Sequence, residues 1–101
     1  MAGRLLYSFE ALNDFLSIRK YGIETWGRAQ ADRYEKLLET CCHAIHSGSI
    51  TTQDSVVMDR PYAMARCRHH RIFFIREEAN TIVLAVLHER MDLVRHMEDR
   101  L

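Results

Sequence analysis

A run of strand-forming segments in the second half of the chain constrains the fold most strongly. Residues 81–87 are almost continuously apolar and β-branched, which predicts a central strand covered on both faces. Residues 62–67 and 70–77 predict two more strands, and a turn at 78–80 precedes the central one. Pro61, the only proline, fits a strand start or an edge. The second half is therefore expected to build a small sheet.

The first half of the chain has helical periodicity instead. Residues 5–7 are a short strand candidate, and Ser8 can then cap a helix that extends to about Lys20. Gly22 is expected to end this helix, because glycine is a poor helix former. The apolar stripe expected to face the core consists of Ala11, Leu12, Phe15, Leu16 and Ile18.

A second, longer helix is predicted to follow. Thr25 is a plausible cap at its start, and Gly48 ends it. Trp26 is expected near its beginning, where a large ring would anchor the helical hairpin in the core; contact with a partner is the competing interpretation. Residues 47–59 are polar and predict a loop, in which residues 56–58 would either add a short strand or pack against the helices. The apolar stripe of this helix consists of Tyr34, Leu37, Leu38, Cys41 and Ile45.

A short final helix completes the pattern. Asp92 can cap it, and its apolar face consists of Leu93, Val94, Met97 and Leu101. A helical hairpin must bury its stripe against one face of a sheet, so the expected fold class is α+β with two layers. We expect an N-terminal strand, a helical hairpin packed on a small antiparallel-rich sheet, and a short C-terminal helix. The length of 101 residues fits a single domain, 1–101.

The charge balance excludes a general polyanion binder. The chain has 14 lysines and arginines and 14 aspartates and glutamates, so electrostatic steering must come from local clusters. No apolar run reaches the roughly 20 residues that a membrane-spanning helix needs, so no membrane partner is expected.

Cysteine usage favours a reducing cytoplasm as the location. The three cysteines are an odd number, and Cys41 and Cys42 are adjacent, which argues against a disulfide framework. Cys42 and His46 lie four residues apart and His43 is adjacent, a spacing that suggests zinc. Two ligands on one helical turn do not make a site, so packing cysteines and surface histidines are favoured. No metal and no other cofactor is expected.

Taken in order, motifs in both halves resemble a known family. The pieces in the helical half are Ser8, Ala11, Asp14-Phe15, Ile18, Tyr21, Trp26-Gly27, Gln30-Ala31 and Tyr34. The pieces in the strand half are His70 with Ile72-Phe73-Phe74, and the run Val86-Leu87-His88-Glu89-Arg90-Met91-Asp92. Together they resemble the ParE branch of the RelE/ParE toxin superfamily over nearly the whole chain.

This resemblance implies the toxin of a type II toxin–antitoxin pair with a RelE/ParE-like fold. ParE toxins inhibit DNA gyrase by protein–protein interaction, and a ParD-like antitoxin neutralises them by folding a disordered tail onto the toxin. The resemblance therefore implies DNA gyrase and a ParD-like antitoxin as partners. It implies no enzymatic activity and no sequence-specific nucleic-acid binding by the toxin alone. A binding module of the same fold that has lost its toxicity is a further interpretation.

RelE-type relatives imply an alternative function, that of a ribosome-dependent mRNA endoribonuclease. That reaction needs a base for the 2′-hydroxyl, a donor to the leaving oxygen and cations on the phosphate. The only lysines, Lys20 and Lys36, lie in the helical half, and the last tyrosine is Tyr62. A lysine/tyrosine site is therefore missing from the sheet, which disfavours this alternative.

A His/Arg set in the strand half would be a weaker version of such a site. His88 would be the general acid, with Arg68 on the phosphate and Glu89 as the base. Arg66 or Arg71 would serve the phosphate equally well, and Glu77 is the alternative base. The competing interpretation is that His88 ends the central strand and hydrogen-bonds to the backbone, which is favoured because lone histidines without a matched base are mostly structural.

The arginines of the strand half predict a binding surface. No acid lies between Arg60 and Arg76, and clustered like charges repel one another unless a partner compensates. Alternation along a strand would place Arg66 and Arg68 on one face. The candidate partners of this surface are gyrase, DNA and an acidic antitoxin tail, and the competing interpretation is a solvated sheet face. The last helix is expected to pack on the open face of the sheet, or to share that face with an antitoxin helix. The residues predicted to bind the target or the antitoxin are Arg66, Arg68, Arg71, Arg76, His88, Arg90, Leu93 and Met97.

Overall fold

The computed structural model describes residues 3–57, 60–98 and 100, and it confirms the α+β class. The elements are β1 (Leu5–Tyr7), α1 (Phe9–Trp26), α2 (Arg28–Ser47), β2 (Gln53–Val57), β3 (Arg60–Cys67), β4 (His70–Glu77), β5 (Asn80–His88) and α3 (Leu93–Glu98). The expected N-terminal strand, helical hairpin and short C-terminal helix are all present. Among the described residues, no helix is both long and apolar enough to cross a membrane.

The strands form one five-stranded sheet in the order β1-β5-β4-β3-β2. β1 pairs with β5 in parallel and all other neighbours are antiparallel, which confirms the antiparallel-rich sheet. Because β1 is short, it covers β5 only from Thr81 to Val83. The register shifts between Phe73 and Phe74, where Leu84 is an extra residue on β5, so the neighbouring Leu84 and Ala85 both face the same side of the sheet.

The helical hairpin turns at Gly27 and not at Gly22. Gly27 has φ of 91°, a left-handed conformation that glycine adopts without a steric penalty, and it alone connects α1 to α2. Gly22 lies inside α1, where a Cβ atom would approach the Cβ of Ala31 to 3.2 Å, so its missing side chain lets the helices pack closely. The predicted cap at Thr25 was therefore wrong. Trp26 ends α1 and is 67% exposed, so its predicted role as a core anchor was also wrong.

The core lies on the face of the sheet that the hairpin covers. Its largest buried side chains include Phe74 from β4 and Leu38 and Ile45 from α2, so the predicted stripe of α2 is confirmed. The stripe of α1 is confirmed only in part. Ala11 is buried, and Phe15 and Ile18 pack against the core. Leu12 and Leu16 are exposed instead, because they lie on the other side of the helix.

The opposite face of the sheet carries a smaller core that α3 covers. Met97 is fully buried there, in a cluster that also contains Tyr62, Phe73, Ala85 and Leu87. Asp92 caps α3, since its Oδ1 accepts a hydrogen bond from the backbone N–H of Arg95 at 3.2 Å. The expectation that the last helix packs on the open sheet face is therefore met; Leu101 lies outside the described residues.

The segment 47–59 was predicted as a loop and is in part a strand. Gln53–Val57 form β2, which pairs with β3 in an antiparallel register and becomes an edge of the sheet. A polar strand satisfies its backbone groups through one neighbour and leaves its other edge to solvent, so polar composition does not exclude it. Of the suggested strand 56–58, residue 58 lies outside the described residues, as does residue 59.

The prediction that no disulfide forms was wrong. Cys41 and Cys67 are joined by a disulfide, which connects α2 to the end of β3. Adjacent cysteines on a helix point in different directions, so Cys41 meets the sheet while Cys42 enters the core between the helices and β1. Cys42 is a buried free thiol whose pKa is raised to about 11 by burial. Three cysteines thus form one disulfide and leave one free thiol, so their odd number did not exclude a disulfide.

Asp14 and Arg100 join α1 to β5 beyond the end of β1. Asp14 Oδ2 accepts from the backbone N–H of Val86 at 2.8 Å, and both carboxylate oxygens accept from Arg100, at 2.6 and 2.8 Å. The carbonyl of Leu84 accepts from Arg100 at 3.2 Å and from the Ser8 hydroxyl at 3.1 Å. The side chains of Arg100 and Asp14 are 15% and 14% exposed, so this is a nearly buried, bidentate ion pair.

Candidate functional site

Two arginines lie directly opposite each other on neighbouring strands. Arg66 of β3 pairs with Arg71 of β4 in the antiparallel register, on the face of the sheet that α3 also covers. Like charges in this arrangement are destabilising unless an anion compensates them. A depression beside them has a volume of about 290 Å³ and is lined by Thr51, Gln53, Met64, Arg66 and Arg71. The structure therefore brings together two of the predicted binding residues.

A larger cleft lies at the ends of β4 and β5. It has a volume of about 640 Å³ and is lined by His69, Arg71, His88, Glu89 and Arg90. Arg71 lines both depressions, so they form one continuous cationic surface. Two further residues of the predicted set, His88 and Arg90, thus meet Arg71 in this cleft.

Glu89 is the acidic residue that lines this cleft, and its neighbours stabilise its ionised form. Its carboxylate lies 3.3 Å from the His69 Nδ1 and 3.3 Å from the Arg66 guanidinium. The hydrogen bond from His69, together with Arg66, lowers the pKa of Glu89. A carboxylate that its partners keep ionised is a weaker proton acceptor. The pairing therefore orients His69 and Arg66 more than it prepares Glu89 as a base.

The backbone of the cleft is tied together at its base. The N–H of Glu89 donates to the carbonyl of His69 at 2.9 Å, which joins the β3–β4 turn to the end of β5. The N–H of Arg90 donates to His88 Nδ1 at 3.1 Å, and the N–H of Met91 donates to the His88 carbonyl at 3.0 Å. In the neutral ring, accepting at Nδ1 leaves the proton on Nε2, so His88 presents an N–H donor at that atom.

A buried histidine supports the cleft from beneath. His70 is 8% exposed, and its Nδ1 lies 2.6 Å from the hydroxyl of Tyr34 on α2. Burial, reinforced by the nearby His88 and His69, lowers the pKa of His70 to about 4, so its ring is neutral at pH 7. Burial raises the pKa of Tyr34, which keeps that hydroxyl protonated as the donor. The His70 ring meets the His88 ring edge to face at 5.3 Å and helps to fix its orientation.

Other predicted site residues lie elsewhere. Arg68 is in the β3–β4 turn with φ of 58°, because β3 ends at Cys67; the prediction that Arg66 and Arg68 share a strand face was therefore wrong. Arg76 points to the hairpin side, where its guanidinium donates to the carbonyl of Ile45 at 2.7 Å. Met97 of α3 is buried against the sheet, and the side chain of Leu93 is not among those that the structure describes.

The geometry of the alternative His/Arg set does not match an acid–base pair. His88 accepts from a backbone N–H through Nδ1, as the structural interpretation of this residue expected, and Glu89 is engaged by His69 and Arg66. Arg68 is exposed in the turn. These contacts position the groups but provide no matched base for His88.

The histidine and cysteine of α2 that suggested zinc point to different neighbours. Cys42 is buried, whereas His46 Nδ1 lies 2.8 Å from the Thr81 hydroxyl and its Nε2 lies 3.1 Å from the Gly3 carbonyl. Within the described residues, no group of three or more His, Cys, Asp or Glu side chains has the arrangement of a metal site.

An apolar stripe on the outer face of α1 escaped the sequence analysis. Phe9, Leu12 and Leu16 are 74%, 49% and 65% exposed. They follow one another at i, i+3 and i+7, so they lie along one face of the helix. The spacing is visible in the sequence, but α1 carries two apolar stripes, one toward the core and one toward solvent. The sequence analysis assigned Leu12 and Leu16 to the core-facing stripe together with Ala11, although they belong to the outer one.

Comparisons with known proteins agree with one another. Residues 5–93 match the family described as "ParE toxin of type II toxin-antitoxin system, parDE". The chain is 38% identical over 93 residues to Toxin ParE of Escherichia coli, covering 91% of this chain and 90% of the relative. Its fold is similar to a solved chain titled "Chromosomal ParDE TA system from P. aeruginosa", with a TM-score of 0.73 and 11% identity over 87% of this chain and 96% of that one. At that identity the structural match supports the fold alone.

Proposed function

The chain belongs to the ParE family of toxins of type II toxin–antitoxin systems, and we propose that it inhibits DNA gyrase by protein–protein contact and is neutralised by a ParD-like antitoxin. That the chain is a toxin follows from its membership of the family. That gyrase is its target and that a ParD-like antitoxin neutralises it are our proposals. The protein would act in the cytoplasm, where gyrase and DNA are found. It would need no cofactor.

The exposed stripe Phe9, Leu12 and Leu16 carries the proposal for the antitoxin. Soluble chains rarely leave adjacent large apolar side chains this exposed unless a partner covers them. Covering a side chain of this size is worth about 1.5–3 kcal/mol, so three of them supply a substantial part of a stable interface. A stripe at helical spacing on a rigid helix suits a partner that folds its own amphipathic helix onto it. The neighbouring solved system is titled ParDE, which fits such a partner.

The cationic surface of Arg66, Arg71 and Arg90 is the proposed contact with the target. Arg66 and Arg71 oppose each other on neighbouring strands, and Glu89 compensates part of their charge through its contact with Arg66 at 3.3 Å. An acidic surface of a target protein would compensate the rest. Of the remaining predicted residues, His88 lies in the same cleft and Arg68 is exposed in the adjoining turn. Arg76 and Met97 are engaged within the protein, so their predicted contact with a partner would require these contacts to open.

Interaction rather than catalysis is the proposed mode of action. The Glu89 carboxylate is held ionised by His69 and Arg66, and His88 Nδ1 is occupied by a backbone donor. A ribonuclease mechanism would need a free base within hydrogen-bonding distance of its proton. The assembled geometry therefore supports binding better than proton transfer.

Expression in bacteria, with and without a ParD-like antitoxin, tests the proposal. The wild-type chain is expected to arrest growth and the antitoxin to restore it. Leu16→Asp should remain toxic but escape the antitoxin, because a charge in the stripe opposes apolar docking. Ser17→Asp adds the same charge at an adjacent exposed position of α1 and should still be neutralised.

Two results would contradict parts of this account. Growth unaffected by the wild-type chain would show that the protein is not an active toxin. Equal rescue of Leu16→Asp and Ser17→Asp would remove the stripe from the antitoxin interface while leaving the toxin assignment in place.

A further inference from the structure

Arg71 is a partly buried cation whose charge is not neutralised by any of the described side chains. Among the residues that the structure describes, its guanidinium group forms neither a hydrogen bond nor an ion pair. Arg66 lies directly opposite it on β3 and adds a second positive charge to the same face of the sheet. Two like charges in this position destabilise the fold unless an anion compensates them. The arrangement therefore points to an anion that binds between the two strands.

Glu89 neutralises only part of this charge. One of its carboxylate oxygens lies 3.3 Å from the Arg66 guanidinium and the other lies 3.3 Å from His69 Nδ1, so both oxygens are already engaged. Glu89 is the only acid among the described residues that line either depression, whereas Arg66, Arg71 and Arg90 are all cationic. The local charge is therefore positive although the formal net charge of the chain is zero.

Two neutral side chains complete the lining beside the arginines. Gln53 of β2 pairs with Met64, two residues before Arg66 on β3, so strand alternation places Gln53 on the same face of the sheet. Thr51 lines the same depression of about 290 Å³. The threonine hydroxyl and the glutamine amide are hydrogen-bond donors for the oxygens of an anion. We propose that Arg66 and Arg71, together with Thr51 and Gln53, bind a phosphate group.

A phosphate suits two opposed arginines better than a single carboxylate does. One guanidinium fork engages both oxygens of a carboxylate, as Arg100 does with Asp14 in this protein. A terminal phosphate has three acceptor oxygens and a charge of about −1.5 to −2, so it can bind both forks and a neutral donor. The phosphate could belong to a small molecule or to the backbone of a nucleic acid. This inference goes beyond the proposed function, because the chain binds the phosphate without gyrase.

Nuclear magnetic resonance of the arginine Nε–Hε groups in the full-length protein tests the proposal directly. The probe is inorganic phosphate, and sodium chloride at equal ionic strength is the reference. The signals of Arg66 and Arg71 should shift saturably with phosphate only. Arg71→Gln should weaken binding about tenfold through loss of charge-assisted hydrogen bonds, and Arg71→Lys, which keeps the charge but not the fork, should bind with intermediate affinity. Arg33→Gln removes an exposed arginine of α2 that contacts the neutral Gln30, and this matched control should bind like the wild type.

Three further probes distinguish the sources of the phosphate. They are thymidine 5′-monophosphate with thymidine as its reference, a DNA duplex of about 12 base pairs, and poly-glutamate. Displacement of inorganic phosphate by the duplex would identify the nucleic-acid backbone as the source, whereas displacement by the monophosphate alone would identify a terminal phosphate. Thymidine, which lacks the phosphate, should leave both arginine signals unchanged. Poly-glutamate should bind more weakly than the phosphate probes at equal concentration of charge, because each carboxylate engages only one fork.

Thermal unfolding gives an independent measure of the same site. At low ionic strength Arg71→Gln should melt at a higher temperature than the wild type, because it removes the repulsion between Arg66 and Arg71. Phosphate should raise the melting temperature of the wild type more than that of Arg71→Gln, since only the wild type binds it tightly. The variant also corrects for the general stabilising effect of phosphate salts on folded proteins.

Three results would overturn the proposal. One is the absence of a saturable shift of the Arg66 and Arg71 signals, or an equal shift with chloride. Another is an affinity for phosphate in a folded Arg71→Gln that equals that of the wild type. The third is binding of poly-glutamate as tight as that of the phosphate probes, which would identify an acidic protein segment as the ligand. None of these results bears on gyrase inhibition, which is measured separately.

Discussion

Removal of the Cys41–Cys67 disulfide is expected to lower the stability of this protein by about 3.5 kcal/mol. The bond joins residues separated by 26 positions. The chain-entropy relation gives roughly 12 cal/mol/K for a loop of this length, which corresponds to about 3.5 kcal/mol at 25 °C. Domains of this size are typically stable by about 5–15 kcal/mol, so this contribution is a large share. The melting temperature should fall by roughly 15–25 °C.

Thermal unfolding followed by circular dichroism, with and without a reducing agent, measures this effect. The reducing agent should lower the melting temperature of the oxidised wild-type protein and leave that of Cys41→Ser unchanged. A count of reactive thiols in denaturant gives an independent check, because Cys42 is the one free thiol among the three cysteines, all of which the structure describes. One reactive thiol is expected before reduction and three afterwards.

The reasoning is refuted if reduction leaves the melting temperature of the wild type unchanged although the thiol count rises from one to three. Three reactive thiols before reduction would show instead that the disulfide had not formed. If the prediction holds, the toxin in a reducing compartment would be considerably less stable than the oxidised protein, and binding of the antitoxin would be a source of additional stability.

The remaining predictions concern stability. Burial lowers the pKa of His70 to about 4, so as the pH falls from about 6.5 to 4 this histidine is protonated in the unfolded state before it is protonated in the folded state. The free energy of unfolding should therefore drop across this window by up to about 3 kcal/mol. His70→Asn, measured in parallel urea titrations, should lack this drop. Arg100→Ala should cost about 3 kcal/mol in chemical denaturation by leaving the Asp14 carboxylate unpaired, and the cost should be much smaller in an Asp14→Asn background, so equal costs in both backgrounds would contradict the ion pair. Met97→Ala should cost about 2–5 kcal/mol if α3 packs on the sheet as described, and a cost below 1 kcal/mol in urea unfolding would mean that it does not.

The strands of the second half were predictable because each has a strong local signal. β5 is a β-branched apolar run, and β4 ends at an acidic turn, so their positions differ little from those expected. β2 was missed in part because an edge strand with polar residues lacks that signal. The hairpin turns at Gly27 and not at Gly22, where the two helices approach each other closely. That approach is a property of the tertiary structure, which local propensity does not predict.

The composition of the candidate site was predictable, but its arrangement was not. Arg66, Arg71, His88 and Arg90 were identified because they are cationic residues in a strand-rich segment. Their grouping depends on where β3 ends, which leaves Arg68 in a turn. Arg76 lies five positions after Arg71 on β4, so strand alternation places it on the opposite side of the sheet. The His69 and His88 rings lie side by side because β4 pairs with β5 in a register that places His70 opposite His88, and the sequence does not specify that register. The disulfide likewise depends on which side of α2 each cysteine faces.

The central claim is that the protein acts on DNA gyrase by interaction and not by cleaving mRNA. The most direct test is a supercoiling assay with purified gyrase, run beside an mRNA cleavage assay on programmed ribosomes with the same protein preparation. The account predicts that linear DNA accumulates while the mRNA stays intact, and that added antitoxin restores supercoiling. Normal supercoiling together with cleaved mRNA would contradict it and would make His88→Ala the next variant to prepare.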